Sequence, residues 1–200
     1  NIDPFEGLNI FGAYSWKRND AETSAFQTPY DYYENGELIG SYPSTGSSGS
    51  EQWGVTVAKQ FNLQGTYEKT FNKKHYFKAM LGFQSEQLDY HWITTGRSGY
   101  NYEGYEDLVH GDASTATNSS NRYAWAMLSY FYRFNYIYDN RYLFEVNGRY
   151  DGTSRFKAGN RWGFFPSFSA GWRISEEKFW SVLKPYVPSL KIRGSWGLVG

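Results

Sequence analysis

The stretch RYLFEVNGRYD, from Arg141 to Asp151, decides the fold, because its residues alternate regularly in character. The even-numbered positions are aromatic, aliphatic or glycine, and the odd-numbered positions are mostly charged or polar. Successive side chains of a β-strand point to opposite faces, so this pattern predicts a strand with one apolar and one polar face. The alternation recurs from Trp162 to Ile174 and from Leu190 to Leu198.

The whole chain reads as an all-β protein with antiparallel strands. Seven strands are predicted, at about 6–16, 51–71, 75–92, 122–138, 142–153, 162–174 and 189–199. A three-residue turn at 139–141 would pair Tyr138 with Tyr142 and bring faces of like character together along the hairpin.

The connections between the predicted strands fall into two kinds. Those at 72–74 and 139–141 are tight, whereas 17–50 and 93–121 are long and polar. Short turns at one end and long loops at the other are typical of an outer-membrane barrel. The single helical signal is a short helix at 175–183, for which Ser175 is a candidate N-cap.

Composition narrows the class further. The 200 residues carry no net charge and no cysteine, which removes the electrostatic basis for nucleic-acid binding and excludes disulfides and thiolate metal sites. Nineteen Tyr, fifteen Phe and eight Trp are typical of the aromatic girdles of a membrane barrel. The first residues show neither an initiator Met nor a signal peptide, so we expect a segment of a longer protein.

Two motifs carry a family resemblance. Asp151 to Phe156 reads DGTSRF, and Asn160 to Ser167 reads NRWGFFPS, closing on Ala170-Gly171-Trp172. In order and spacing they resemble the SusC/RagA family of TonB-dependent transporters, most strongly over about 122–200. The resemblance implies that residues 1–200 form part of a 22-stranded barrel in the Gram-negative outer membrane, without the plug domain and the rest of the barrel.

The resemblance also implies a function and partners. Members import oligosaccharides or peptides, with a SusD-like surface lipoprotein as a lid. The TonB complex supplies energy through an N-terminal region that this segment lacks. No covalent chemistry and no cofactor are expected, and the three histidines lie far apart in the sequence.

Two sets of residues are candidates for function. Polar odd-face residues are placed in the lumen, either as a salt-bridged scaffold that grips the plug, which we favour, or as a path for substrate: Arg133, Glu145, Asn147, Arg149, Asp151, Arg161 and Arg173. Aromatic residues of the long loops are candidates to contact a ligand or the lid: Tyr30, Tyr32, Tyr33, Tyr42, Tyr100, Tyr102 and Tyr105.

Within the motifs, Gly152 and Gly159 are expected to adopt turn conformations closed to other residues. Pro166 lacks an N–H donor, which favours a bulge or kink. Glu176 and Glu177 are interpreted as helix-start residues.

Two other classes of protein remain in view. A soluble or surface-attached β-sandwich could use the aromatic residues as glycan platforms, but its strands are usually only about 5–6 residues long. A siderophore-type receptor or a porin would share the barrel, and the DGTSRF and NRWGFFPS motifs argue against both.

Overall fold

A computed structural model describes residues 2–43, 46–100 and 104–199. The described residues form ten strands, β1 to β10, and four short 3-10 helices. The strands are Ile2–Phe5, Leu8–Gln27, Tyr30–Glu34, Glu37–Tyr42, Ser48–Phe71, His75–Ser98, Thr117–Tyr138, Tyr142–Thr153, Trp162–Arg173 and Lys191–Gly197. The 3-10 helices are Leu108–His110, Ala113–Thr115, Ile174–Glu176 and Lys178–Val182. No helix in the described part of the chain is long and apolar enough to cross a membrane.

Eight strands form one large sheet in the order β1-β2-β5-β6-β7-β8-β9-β10, and β3 and β4 form a separate hairpin. The register of the β7–β8 hairpin is the predicted one, with Tyr138 opposite Tyr142 and Phe134 opposite Val146. β8 pairs with β9 without a register shift, from Tyr142 opposite Trp172 to Gly152 opposite Trp162. Like faces therefore meet across these strands, as the alternation predicts.

The chain divides into two compact units. The first, here the turn unit, comprises Asn1–Ser15, Lys59–Gln87 and Trp125–Gly200 and contains both tight turns. The second, here the loop unit, comprises Trp16–Ala58 and Leu88–Ala124 and contains the longer connections. β2, β5, β6 and β7 each pass from one unit into the other.

The sheet has almost no core. Among the described residues, Ile174 is the one buried hydrophobic residue, and only Ser129 and Ser175 are buried polar residues. Large apolar side chains of the even face of β8 and β9, such as Phe144 and Phe168, are about half exposed. A sandwich would bury this face against a second sheet, so the sandwich alternative does not describe this structure.

Several predicted boundaries were wrong. The 17–50 connection was predicted as a loop, but β2 continues to Gln27 and the β3–β4 hairpin follows. The 93–121 connection is shorter than predicted, because β6 runs to Ser98 and β7 begins at Thr117. The large sheet has eight strands where about seven were predicted, because the unpredicted strand β1, Ile2–Phe5, pairs with β2.

The predicted helix at 175–183 is replaced by the two 3-10 helices Ile174–Glu176 and Lys178–Val182. Ser175 does not cap either of them: the N-cap positions are Arg173 and Glu177, and neither donates or accepts a side-chain capping bond. The sequence between Trp172 and Pro185 is too short for a helix to be stable without an apolar face to bury.

Both tight turns use left-handed backbone conformations. Asn72 and Lys73 have φ of 48° and 58°, and Asp139 and Asn140 have φ of 49° and 55°. The backbone N–H of Arg141 donates to the carbonyl of Tyr138 at 2.9 Å, closing the second turn. Asn and Asp tolerate this conformation better than most residues, which explains the sequence of these turns.

Candidate functional site

The polar face of the turn unit holds a hydrogen-bonded network centred on Arg149. Its guanidinium donates to the Asp151 carboxylate at 2.7 Å, to the Ser129 hydroxyl at 2.8 Å and to Gln84 Oε1 at 3.2 Å. It also lies 5.9 Å from the ring centroid of Phe131. Ser129 is fully buried. The bonds of Arg149 therefore join three neighbouring strands, β6, β7 and β8.

A second network lies on the same face. Arg133 donates to the side-chain oxygen of Asn147 at 2.7 Å, and Asn147 donates to Glu145 at 2.9 Å. Arg193 approaches Glu145 at 4.0 Å and donates to Ser169 at 3.1 Å. Five of the seven lumen candidates thus lie in mutual networks, which is the arrangement expected of a scaffold.

The other two candidates contact loops. The guanidinium of Arg161 donates to the carbonyl of Phe156 at 3.0 Å, within the connection that follows β8. Arg173 donates to the side chain of Asn140 in the tight turn before β8. Both residues fix local backbone, and neither joins the two networks in the described contacts.

Four of the loop tyrosines lie on the β3–β4 hairpin. Tyr30 is opposite Tyr42, with ring centroids 5.9 Å apart, and Tyr32 is opposite Gly40. The register shifts between Tyr32 and Tyr33. All four tyrosines are exposed, so the hairpin presents rings that are available for contact.

The remaining loop tyrosines differ in their surroundings. Tyr100 packs edge-on against Phe26, with centroids 4.9 Å apart, and burial raises the pKa of its hydroxyl. Tyr105 is exposed and lies 5.0 Å from the His110 ring. Tyr102 lies outside the described residues. Tyr100 therefore serves packing in the loop unit, and Tyr105 remains an accessible ring.

The DGTSRF motif fastens the connection after β8 to β7. The Ser154 hydroxyl accepts a bond from the Ala126 N–H at 2.9 Å, and the Ser154 N–H donates to the Ala126 carbonyl at 2.9 Å. The Arg155 guanidinium lies 4.5 Å from the ring centroid of Trp125. The motif therefore works as a structural latch without reactive chemistry.

The two motif glycines have different roles. Gly159 has φ of +97°, as predicted for a residue in a conformation closed to other side chains. The same prediction was wrong for Gly152, which is not among the residues of positive φ. Gly152 instead leaves room for the indole of Trp162: an added Cβ would lie 2.7 Å from three of its ring atoms.

Pro166 does not produce the predicted bulge. The β8–β9 register is continuous through the pair of Gly148 and Pro166. The Pro166 carbonyl accepts from the Leu198 N–H at 3.0 Å, so its nitrogen also points toward β10, beyond the last residue of that strand. The missing donor falls where the β9–β10 ladder ends, and this explains why proline is tolerated within β9.

Glu177 is the residue whose role the sequence did not reveal. It was interpreted as a helix-start residue, but its carboxylate accepts from Tyr142 at 2.7 Å, Arg141 at 2.8 Å and Trp172 at 3.0 Å. These bonds, led by that of Tyr142, lower the pKa of the Glu177 carboxyl. The five-residue separation of Trp172 and Glu177 was the only sequence signal available, and it is a weak one.

The groups at these sites are hydrogen-bond donors and acceptors that are held by one another. The described residues include no group of three or more His, Asp or Glu side chains placed to hold a metal ion. The polar face offers guanidinium, carboxylate, amide and hydroxyl groups held by one another, with no nucleophile paired to a base in the described contacts.

Comparison with known proteins gives a consistent result. No protein-family model matches the chain. The chain is 33% identical over 142 residues to the TonB-dependent receptor SusC of Bacteroides thetaiotaomicron, covering 70% of this chain and 13% of that protein. It is 31% identical over 135 residues to the TonB-dependent receptor P39 of Formosa agariphila, covering 67% of this chain and 13% of that protein.

The fold matches a solved transporter. The structure of the RagAB peptide transporter superposes with a TM-score of 0.81 at 22% identity, covering 98% of this chain and 21% of that chain. At this identity the likeness establishes the fold alone. The chain spans only about one eighth of the two curated relatives described above.

Proposed function

Because the chain belongs to the SusC/RagA family of TonB-dependent receptors, we propose that it forms part of the barrel wall of an active importer of oligosaccharides or peptides in the Gram-negative outer membrane. One observation carries the proposal: a single-layer sheet exposes a face of aromatic and aliphatic side chains and opposes it with a hydrogen-bonded polar face. The first face suits lipid and the second suits a water-filled lumen.

Strand length supports the membrane assignment. β5 and β6 have 24 residues each, whereas a tilted strand crosses a bilayer with about 9–11. The excess length would extend beyond the bilayer on the side of the long connections. The importer would therefore present β3, β4 and the neighbouring loops to the outside.

We place the partners at the two ends of this wall. A SusD-like surface lipoprotein would close the loop end and contact the exposed tyrosines of the β3–β4 hairpin. Energy would come from the TonB complex, through parts of the full-length protein other than this segment. The polar networks of Arg149 and Arg133 would face the plug and hold it. Transport would proceed by plug rearrangement, without an enzymatic step.

Site-directed labelling of the full-length parent in intact cells tests the orientation. Cysteines at Ser47 and Ser119 should react with a membrane-impermeant maleimide, and one at Lys73 should react only after the outer membrane is permeabilised. Ser47 and Ser119 lie in or beside the long connections, and Lys73 lies in a tight turn. Labelling of Lys73→Cys alone would reverse the topology, and absence of the parent from the membrane fraction would refute the function.

The lid is tested separately, by gentle extraction of the tagged parent from native outer membrane and mass spectrometry of the proteins that accompany it. Recovery of a surface lipoprotein at equal stoichiometry is expected. Replacement of Tyr30 and Tyr42 by alanine should lower that recovery, while replacement of Tyr14, an exposed residue of β2, should not. Recovery of the barrel alone would point to an importer without a lid.

A further inference from the structure

The two faces of β6 exchange their character along the strand. In the turn unit its even positions are largely polar, with Lys78, Gln84 and Glu86, and its odd positions carry Phe77 and Phe83. In the loop unit its even positions are Leu88, Tyr90 and Trp92, and its odd positions include Asp89 and His91. The even positions of β6, which are largely polar in the turn unit, therefore carry aromatic residues in the loop unit.

The exchange is not produced by a change of register between β5 and β6. In the turn unit the rings of Phe61 and Phe83 lie 6.2 Å apart, and in the loop unit those of Trp53 and His91 lie 6.4 Å apart. The residue numbers in both pairs sum to 144, so the two strands keep one register. A Cβ added at Gly54 would lie 3.6 Å from the Trp92 Cβ, which places Trp92 beside Gly54 and on the face opposite to Trp53.

The partners of these aromatic residues on β7 follow from the contacts at the end of the strands. The Thr117 hydroxyl donates to the Gly96 carbonyl at 3.3 Å, and the Thr115 hydroxyl accepts from the Ser98 N–H at 2.9 Å. Counting along the antiparallel strands from Gly96 and Thr117 sets Tyr90 opposite Tyr123. Tyr123 is 45% exposed, and Trp92 and Tyr90 are partly exposed.

The surroundings of the three rings are hydrophilic and carry a single charge. A Cβ added at Gly49 would lie 3.3 Å from the Phe26 ring, so even positions of β2 share a face with odd positions of β5. The same counting on β2, β5, β6 and β7 within the loop unit gives the residues that share the face of the three rings, here called the aromatic face. Besides the three rings they are Lys17, Asn19, Ala21, Thr23, Ala25, Gln27, Ser48, Ser50, Gln52, Gly54, Thr56, Ala58, Leu88, Thr94, Gly96, Ser98, Thr117, Ser119 and Asn121. Lys17 is the one charged residue on this face of the four described segments.

Charge distinguishes the aromatic face from the opposite face of the same segments and from the polar face of the turn unit. The opposite face of the same four segments carries charged residues on every strand, among them Arg18, Glu51, Asp89 and Arg122. The polar face of the turn unit is likewise charged, with its Arg149 and Arg133 networks. Three rings among hydroxyl and amide groups, with Lys17 as the one charge on these segments, form a surface of a different chemical kind.

We propose that the aromatic face of the loop unit binds a neutral glycan chain, with Tyr90, Trp92 and Tyr123 as stacking platforms. The proposal rests on the proposed importer function and names its substrate class. Flat apolar faces of pyranose rings pack on aromatic rings, and the sugar hydroxyls meet hydroxyl and amide groups such as those of Thr56 and Asn121. Gly54, which lies beside Trp92, adds no side chain next to the indole.

The chemistry of the face favours a neutral glycan over a peptide or a lipid. A mixture of short peptides carries charged termini and side chains, and burying these without ionic partners is costly. Lys17 alone does not supply such partners. A lipid chain needs a continuous apolar surface, but here hydroxyl and amide residues surround the rings. Uncharged hydrogen-bonding groups with interspersed rings match a polyol.

The test uses the full-length parent, purified from the outer membrane in detergent, and an array of neutral oligosaccharides of glucose, mannose, xylose and galactose. The strongest neutral ligand is then titrated by calorimetry against Trp92→Ala and Tyr90→Ala. Each substitution should weaken binding at least tenfold. The matched control is Trp53→Ala, a tryptophan of the same unit on the opposite face and 42% exposed, which should change affinity less than twofold.

Each result has a defined reading. Equal effects of Trp92→Ala and Trp53→Ala would overturn the proposal, and so would an array in which only uronic-acid oligosaccharides, a parallel set of tryptic peptides, or no ligand at all bind. In each of these cases the importer function stands if the parent is in the outer membrane with the labelling pattern given above. Failure of that labelling pattern would instead remove the proposed function itself.

Discussion

Replacement of Gly152 by alanine should destabilise the barrel because the indole of Trp162 occupies the space of the new side chain. The added Cβ would lie 2.7 Å from three ring atoms, which forces the indole to move. Trp162 stacks on Tyr150 with centroids 4.7 Å apart and planes inclined by 16°. Overpacking costs about 1–3 kcal/mol and loss of an aromatic pair about 0.5–1.5 kcal/mol. The free energy of unfolding should fall by about 2–4 kcal/mol.

The same substitution at Gly194 provides the control. Gly194 lies within β10, and an added Cβ there would meet nothing within 4 Å. Alanine should be neutral or stabilising by up to about 1 kcal/mol, since it restricts the unfolded chain. Both variants make one chemical change in a strand, so their difference isolates the contact with Trp162.

The measurement is urea-induced unfolding of the full-length parent in lipid vesicles, followed by tryptophan fluorescence. A third comparison repeats Gly152→Ala in a Trp162→Ala background, where the penalty should largely disappear. The reasoning is refuted if Gly152→Ala costs no more than Gly194→Ala. It is also refuted if the full penalty persists when the indole has been removed.

Three further outcomes are expected from the same unfolding assay. Arg149→Lys should lower the free energy of unfolding by about 1–2 kcal/mol, because lysine cannot make all the bonds of the guanidinium and leaves the buried Ser129 hydroxyl without its donor. An unchanged free energy of unfolding would show that the Arg149 network does not stabilise the sheet. The lowered pKa of Glu177 means that its contribution is present above the ordinary carboxyl pKa and is lost as the pH falls through the lower folded value. Glu177→Gln should therefore flatten the acid limb of the stability profile between about pH 6 and about pH 3, and Glu176→Gln, which alters an exposed ion pair, should not. Asn140→Val should cost about 1–2 kcal/mol because φ is 55° there, whereas Asn140→Gly should be tolerated; equal stability of these two variants would exclude backbone strain as the cause.

The sequence predicted the sheet well where side-chain alternation is regular. From Arg141 to Asp151 the polar and apolar faces are so distinct that one hairpin register satisfies both, and that register is present. The turn at 139–141 was predicted because a three-residue connection brings faces of like character together along the hairpin. These signals are local, so they can be read without knowing the rest of the fold.

The sequence failed where the environment of a strand changes along its length. Residues 18–22 of β2 are mostly charged and read as loop, although the strand continues through them to Gln27. β6 exchanges its faces near residue 87, and a rule that expects one apolar face loses the strand there. Such segments keep their strand conformation through backbone pairing, which leaves no mark in side-chain periodicity.

Side-chain partnerships between distant residues were also beyond local patterns. Glu177 meets Arg141 and Tyr142 only because β8 and β9 pair and return the chain to the same end of the sheet. The charged residues of the polar face could be predicted as a set, but not which of them bond to one another. That choice depends on register and rotamer together.

The order of strands in the large sheet has a consequence for how the chain assembles. Every strand pairs with its neighbour in the chain, apart from the excursion through β3 and β4 between β2 and β5. Pairings of this kind close short loops and cost little entropy at each step. An unpaired strand edge in hydrocarbon costs several kcal/mol for each backbone group left without a partner. The unpaired edge of one hairpin therefore favours pairing with the next hairpin. The barrel wall can insert into the bilayer one hairpin at a time, in the order of the sequence.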